Sequence, residues 1–498
     1  MSHDPYALGL KLSAEGRHAE AIEAFERALA DNPFDTRTLF ALGNTARALK
    51  MAGPAGEFYR RVLALEPGRL EALVNLANLL RTQGQFASAE ALLAPALARN
   101  PEAPELWLTL GSVYRETGEA DRAREYYREA VARRPGYAAA LANLADLMAD
   151  QGGYDEALAL YDCALRAGPE SAQVRLNRAI LHLLRGDLKA GWKDYAGRLK
   201  VPGKVPTADH GLPRWNGSLK RTALLITAEQ GVGDQIMFAS MIPQLTAHAQ
   251  AEGGRILLEC EPRLASLFAR SFPGVAVRPW EIEMRDGAAR TRYGWLKAAG
   301  GANAAVEMGT LPRFLRQSLD RFPVPNAYLQ TDAAEQDRWR AAFASLPRPL
   351  IGICWRSGLA GGGRALQYAP PEAWAAFLHE LPGSAVSAQY DAKPEEIAQL
   401  SALSGRAIVA PPSIDQKNEL DRAAALFSIF DAVVSAPTAV SWLAAGAGVA
   451  TFKVLYDTSW TSFGRDYEPF APAAACIMPR ARGDWADVFS QVLQQLRR

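Results

Sequence analysis

Residues 102–135 read EAPELWLTLGSVYRETGEADRAREYYREAVARRP, a stretch that closes on Pro135 and recurs in pattern on both sides of itself. Pro33, Pro67, Pro101, Pro135 and Pro169 stand 34 residues apart. Twelve positions before each proline sits an alanine (Ala21, Ala55, Ala89, Ala123, Ala157), and eight before it a large residue (Phe25, Tyr59, Leu93, Tyr127, Tyr161). Early in each unit come Leu8-Gly9, Leu42-Gly43, Leu76-Ala77, Leu110-Gly111 and Leu144-Ala145, with Gly16, Gly84, Gly118 and Gly152 near the middle. A small residue lets two antiparallel helices approach, a large one fills the hole opposite, and the proline ends the second helix because it cannot continue the hydrogen-bond ladder.

This is the pattern of tetratricopeptide repeats, and it predicts an α-solenoid. One helix pair cannot bury its apolar face alone, so neighbours must stack. Repeat two carries Gly53-Pro54 at the start of its second helix, a first-turn position that tolerates proline. A sixth, degenerate unit has Gly186, Gly191 and Tyr195 at the expected places, but Arg175 and Arg178 replace apolar residues and no proline closes it. It reads as a capping repeat, placing the repeat domain at 1–200.

The 498 residues hold 55 Lys plus Arg against 54 Asp plus Glu, a balance that argues against a nucleic-acid footprint. Cys163, Cys260, Cys354 and Cys476 have no CxxC spacing and are expected to be reduced thiols of a cytoplasmic protein. The opening MSHDPYALG lacks the features of a signal peptide, and no apolar run reaches the length of a membrane span.

After residue 200 the helical period gives way to VPGKVPTADHGLPRWNGSLKR and then to short apolar runs alternating with helical stretches. RTALLITA, RILLECE and VAVRPW lead through a hinge to PLIGICW, followed by GSAVSAQY, AIVAP, DAVVSA, ATFKVLY and ACIMP. The alternation predicts parallel sheets covered by helices in two Rossmann-like halves, 201–345 and 346–498. Ligands of open α/β sheets bind beyond the carboxyl ends of the strands, so the loops there are the candidates.

Glu229, Gly231, Gly233 and Asp234 form the first such loop. Its glycines allow close backbone approach, the following helix offers free N–H groups to an anion, and either carboxylate can serve as a general base. The same residues also read as a tight turn with Asp234 as an N-cap. Arg356 and Ser357, then Arg364 and Tyr368, flank a glycine-rich run that suits a phosphate, the alternative being a solvated surface loop. Gln389 and Tyr390 follow another strand, while DQKNELD at 415–421 reads as a solvated helix approach with Asp421 as a cap. Ser435, Thr438 and Ser441 open a helix able to hold a phosphate, or simply to cap itself. The six histidines show no metal-ligand spacing and there is no Asp-x-Asp pair, so no metal or other cofactor is expected.

Taken together, EQGVGDQIMFAS, the Trp-Arg-Ser-Gly loop and VVSAPTAVSWLAAGAGV resemble the heptosyltransferase-like glycosyltransferases of the GT-B fold. With its repeats, the whole chain resembles bacterial tetratricopeptide-repeat glycosyltransferases, including those that modify flagellin. The resemblance implies Asp234 as catalytic base, with Glu229 beside it. It implies donor contacts from Gly231, Gly233, Arg356, Ser357, Arg364, Tyr368, Gln389, Tyr390, Ser435, Thr438 and Ser441. The family's Ser-x-Asp-Thr and His-Leu-Ala signature is altered here, with Pro437 in place of the acid and Trp442 in place of the histidine. That departure points away from ADP-heptose, and the flagellin-modifying members imply a CMP-linked nonulosonic acid. The acceptor that the resemblance implies is a protein Ser or Thr, with flagellin as the protein that carries it. Asn44, Asn75, Asn78, Asn143 and Asn177 occupy repeat positions on the concave side and can pair with an extended peptide, or equally bond from helix to helix. A lipid or polysaccharide transferase and a non-catalytic adaptor are the competing readings.

Overall fold

The computed structural model describes residues 4–201, 207–208, 210–229, 231–285, 288–323, 327–358 and 367–497. The chain divides into two compact units, Met1–Val174 and Arg175–Arg498.

The first unit is a helical solenoid of five antiparallel pairs: Pro5–Ala14 with His18–Asp31, Thr36–Ala48 with Ala52–Leu65, Leu70–Thr82 with Phe86–Arg99, Pro104–Glu116 with Ala120–Arg133, and Ala138–Asp150 with Tyr154–Ala167. Each second helix stops two residues short of its proline, and Pro54 sits in the first turn of its helix. The pairing of small and large residues is physical contact. A Cβ on Gly9, Gly43 or Gly111 would lie 2.5, 2.6 or 2.7 Å from the ring of Phe25, Tyr59 or Tyr127, so only glycine fits. The turn glycines Gly16, Gly84, Gly118 and Gly152 are left-handed, and in repeat two Lys50 takes that role with φ 60°. A side chain there is strained by Cβ crowding against the backbone. Lys50→Gly is therefore expected to stabilise the first unit by about 1 kcal/mol in urea denaturation, the relief slightly offset by glycine's greater unfolded entropy.

The second unit begins with the sixth helical pair, Ala172–Leu184 (from its fourth residue) and Leu188–Tyr195, and holds two lobes. Strands β1 (Thr207–Ala208), β5 (Ile282–Arg285) and β6 (Ala288–Thr291) make a small sheet ordered β1-β6-β5. Between and after them, β2 (Ala223–Thr227), β3 (Arg255–Cys260), β4 (Ala276–Pro279) and β7 (Ala304–Glu307) form a parallel sheet ordered β4-β3-β2-β7. The second lobe carries β8 (Leu350–Cys354), β9 (Ser384–Ser387), β10 (Ile408–Val409), β11 (Ala432–Ser435), β12 (Thr451–Val454) and β13 (Ala474–Ile477). Its order is β10-β9-β8-β11-β12-β13, all parallel, the doubly wound 3-2-1-4-5-6 arrangement. Strand order reverses between β2 and β7 in one lobe and between β8 and β11 in the other, and crevices open at such points.

The lobes share a core. Leu224, Ile226, Ile236 and Phe238 of the first and Leu443, Ala444 and Phe470 of the second lie in one buried cluster. Trp192 of the sixth pair joins it, its ring 5.8 to 6.4 Å from those of Phe238, Trp460, Phe463 and Phe470. Apolar burial of that extent makes sixth pair and lobes a single folding body.

Candidate functional site

Both switch points carry candidate loops at their carboxyl ends. After β2 the chain turns at Gly231 into the helix Val232–Ala239, and after β11 it turns at Thr438 into the helix Ala439–Gly446. The two helix starts meet: a Cβ on Gly233 would lie 3.4 Å from Trp442 Cδ1 and 3.5 Å from Ala439 Cα. Two helix starts, each the positive end of a dipole, thus lie side by side across the lobes.

Asp234 lies in the first turn of its helix, half-buried, with Gly231 beside it exposed. Its Oδ2 accepts from the Gly231 N–H at 3.3 Å, the capping geometry. Burial pushes its carboxyl up to about 6, assisted by the charge of Glu229 and opposed by the Gly231 bond and by Arg198 and Lys453. A carboxylate that ionises near neutrality is matched to proton abstraction at physiological pH.

Glu229 is 1% exposed, and both its oxygens are taken. Arg198 Nε donates to Oε2 at 2.9 Å, Arg198 Nη2 to Oε1 at 2.5 Å, and the Gly309 N–H to Oε1 at 2.6 Å. That engagement makes it a brace between the short helical turn Ala196–Lys200, which follows the sixth pair, and the loop after β7.

At the second switch point the polar groups hold one another. Gln389 Oε1 accepts from the N–H groups of Trp355 and Arg356, both at 3.0 Å, and its Nε2 donates to the Arg356 carbonyl and Asp391 Oδ1, both at 2.9 Å. Arg356 forks onto Glu396 at 2.6 Å twice and reaches Asp391 Oδ1 at 2.9 Å. Ser357 Oγ lies 3.4 Å from the Tyr390 hydroxyl, which also accepts from the Gly358 N–H. Ser435 Oγ donates to the Ala436 carbonyl at 2.6 Å, Ser441 Oγ donates to the Thr438 carbonyl at 2.8 Å, and Thr438 Oγ1 caps its helix from the Val440 N–H at 3.3 Å. Tyr368 is half-buried, and Arg364 lies outside the described residues.

Two charged residues that the sequence reading did not single out, Lys453 and Arg198, act on Asp234. Lys453 on β12 is 3% exposed, pairs with Glu468, donates to Thr461 Oγ1 at 3.3 Å and stands 4.8 Å from the centre of the Trp442 ring. A lone lysine inside the apolar run ATFKVLY was the available signal, since buried lysines are paired or functional. Arg198 had no such signal, lying 31 positions before its partner. Glu259, next to last in β3, is 1% exposed, its Oε2 accepting from the Ala228 N–H at 3.0 Å and the Tyr293 hydroxyl at 3.5 Å, its Oε1 without a partner among the described residues.

Burial lifts Glu259 from 4.5 to about 7. The folded state thus holds the proton more tightly than the unfolded, and the stability it confers is full below pH 4.5 and lost as pH rises through 7. Glu259→Gln is expected to match the parent at pH 4 and exceed it by about 3 kcal/mol at pH 8 in urea denaturation.

On the solenoid, the asparagines bond largely to neighbouring helices. Asn44 Oδ1 accepts from Tyr59 at 2.8 Å and from Asn75 Nδ2 at 3.0 Å, while Asn143 Nδ2 donates to Ser112 Oγ at 3.3 Å. Asn78 and Asn177 are half-buried, the latter in the second unit.

Models of the tetratricopeptide repeat match residues 6–69, 74–138 and 114–181, so the helical solenoid is built of these repeats. The chain is similar to Protein FlbA of Caulobacter vibrioides, 32% identical over 330 residues, which cover 66% of this chain and 55% of the relative. The chain therefore spans just over half the length of that relative. A match of 330 residues exceeds the 174 of the first unit and so extends into the α/β region. Among solved structures it is similar to TTC0263, a thermophilic TPR protein of Thermus thermophilus, at 32% identity and TM-score 0.32, covering 36% of this chain and 97% of that one. Pseudomonas aeruginosa pilF matches at 22% identity and TM-score 0.34, covering 40% and 91%.

Proposed function

We propose that the chain is a protein O-glycosyltransferase of the GT-B kind. The solenoid recruits a polypeptide acceptor, flagellin being the candidate that the sequence resemblance implies. Asp234 takes the proton from a Ser or Thr hydroxyl, the freed oxygen bonds to the anomeric carbon of a nucleotide sugar, and the bond from that carbon to the phosphate oxygen breaks. The departing nucleotide phosphate takes the electron pair, stabilised by the positive ends of the helices Val232–Ala239 and Ala439–Gly446. The observation that carries this reading is a carboxyl near pH 6 at the point where those helix starts meet, beyond the strand ends of two doubly wound sheets. Lys453 contributes its field to the same place, whereas Arg356 is spent on Glu396 and Asp391 and serves to shape its loop. The test is intact-mass and peptide analysis of flagellin incubated with the full chain and a set of nucleotide sugars. A sugar increment on Ser or Thr is expected, and its absence with every donor removes the assignment.

One observation favours a second reading, a non-catalytic adaptor: the polar atoms of Arg356, Gln389, Ser435 and Ser441 are engaged inside the fold. A thermal-shift series over CMP, UDP, GDP and ADP separates the two, because a ligand that binds the folded state raises its melting temperature. A transferase responds to its donor's nucleotide, and an adaptor to none of them.

A further inference from the structure

Arg47, Arg81 and Arg115 stand 34 residues apart, each near the end of the first helix of its repeat. For two of them an acid of the following repeat answers the charge. Arg81 pairs with Glu116, and Arg115 pairs with Asp150 at 2.7 Å while lying 3.6 Å from Asp146. Each pair spans 35 residues, and 35 residues after Arg47 the chain has Thr82. In the place of Asp146 it has Asn78.

The two junctions, repeats two to three and four to five, are equivalent in space as well as in sequence. Asn75 Nδ2 donates to Asn44 Oδ1 at 3.0 Å between the helices Thr36–Ala48 and Leu70–Thr82, and Asn143 Nδ2 donates to Ser112 Oγ at 3.3 Å between Pro104–Glu116 and Ala138–Asp150. The same bond fixes the same alignment. Three residues further along both helices, nearly one turn, Arg115 meets Asp146, and the matching step sets Arg47 opposite Asn78 and Thr82. Arg47 is exposed, has the Tyr59 hydroxyl beside it, and makes no ion pair among the described residues. Thr82 carries no charge to answer it, and its Oγ1 donates to the Leu79 carbonyl at 2.7 Å. Asn78 is open for a separate reason. Its counterparts Asn44, Ser112 and Asp146 each accept from a tyrosine of the second helix, Tyr59, Tyr127 and Tyr161, whereas the third repeat has Leu93 there. Half-buried, its amide makes no hydrogen bond among the described residues.

We propose that Arg47 and Asn78 take the carboxylate of an Asp or Glu side chain on the polypeptide that the solenoid recruits. This rests on the reading of the solenoid as the recruiting part, and adds the chemistry that it recognises. The captured acid completes the junction at Arg47 as Asp150 completes the one at Arg115. A guanidinium supplies the charge and a planar fork matched to two carboxylate oxygens. The Asn78 amide adds two donors and an acceptor, for that carboxylate or for the backbone that bears it. The neighbouring Arg81 is already held by Glu116, so one positive charge is on offer, which suits a single carboxylate better than a doubly charged phosphate.

The test is affinity selection on the immobilised full chain from three pools of dodecapeptides built of Ala, Ser, Thr, Val, Leu and Gln, read by mass spectrometry. The first pool carries one central Asp or Glu and an amidated end, the second has Asn or Gln in that place, and the third is the second with a free carboxyl end. Retention of the first is expected to exceed that of the other two roughly tenfold, the value of a hydrogen bond to a charged group. The preference should fade as ionic strength rises from about 0.1 M to about 1 M, where exposed charges are screened. Arg47→Gln should abolish it, and Asn78→Ala should reduce it. Thr82→Glu should abolish it as well, by giving Arg47 the acid that Glu116 and Asp150 give the other two arginines, without lowering the melting temperature. No preference for the first pool, equal retention of the free carboxyl ends, a preference that survives Arg47→Gln or Thr82→Glu or is undiminished in Asn78→Ala, or a lower melting temperature for Thr82→Glu would each overturn the proposal. Transfer is not read in this experiment. A chain that selects acidic peptides yet modifies no acceptor loses the transferase reading and keeps this site, and a transferase without that selection loses this site alone.

Discussion

Asp234→Asn is expected to lower the rate of sugar transfer by about a hundred- to ten-thousand-fold while leaving nucleotide affinity nearly unchanged. That range is what a positioned general base contributes. Asparagine keeps the shape of the side chain and an oxygen able to accept from the Gly231 N–H, so the turn and helix start should survive. In the parent, the base form exists only above about pH 6, where burial and the neighbouring Glu229 place its titration. The rate should accordingly fall tenfold per pH unit below that value and level off above it. The limb should vanish in the variant. A pH-rate series on both proteins checks this, and retention of the parental limb in Asp234→Asn would take that residue out of the proton transfer.

How much of this was legible beforehand depends on whether a feature repeats. The solenoid could be read almost residue by residue, because every repeat restates one packing solution, the glycine of Gly43 against Tyr59 and of Gly111 against Tyr127. The strands of the two parallel sheets were visible as apolar runs, with one exception. β7, Ala304–Glu307, is a short alanine-rich segment close after Gly300 and Gly301 and reads as loop, although it forms one wall of the first switch point. The β5 strand was hidden for another reason: Ile282 and Met284 are exposed, so nothing in its pattern records burial. Loop positions followed from the strand ends, but hydrogen-bond partners did not. That Arg356 is clasped by Glu396, 40 residues on, or Glu229 by Arg198, 31 residues back, is a property of the folded chain alone.

The Arg198 brace carries the largest expected stability effect. Arg198 is 2% exposed and Glu229 1%, and the guanidinium also donates to the Tyr195 carbonyl at 3.1 Å and Thr310 Oγ1 at 2.9 Å while lying 4.7 Å from the centre of the Tyr195 ring. Arg198→Met would keep much of the apolar stem and remove the charge, stranding the carboxylate of Glu229 in a buried place with the Gly309 N–H still donating to it. Breaking one side of such a pair costs about 3–5 kcal/mol, because the stranded charge has lost its compensation. The double variant Arg198→Met with Glu229→Gln removes that charge and still presents an amide oxygen to Gly309, so most of the loss should return. Urea denaturation of parent, single and double variants, followed by tryptophan fluorescence, reads the difference. The chemistry provides a second readout. Arg198 draws the Asp234 titration down and Glu229 pushes it up, so the acid limb of the rate should move to higher pH in the single variant and back in the double. A double variant as unstable as the single would show that Arg198 acts through its other bonds, to Tyr195 and Thr310, and not by neutralising Glu229.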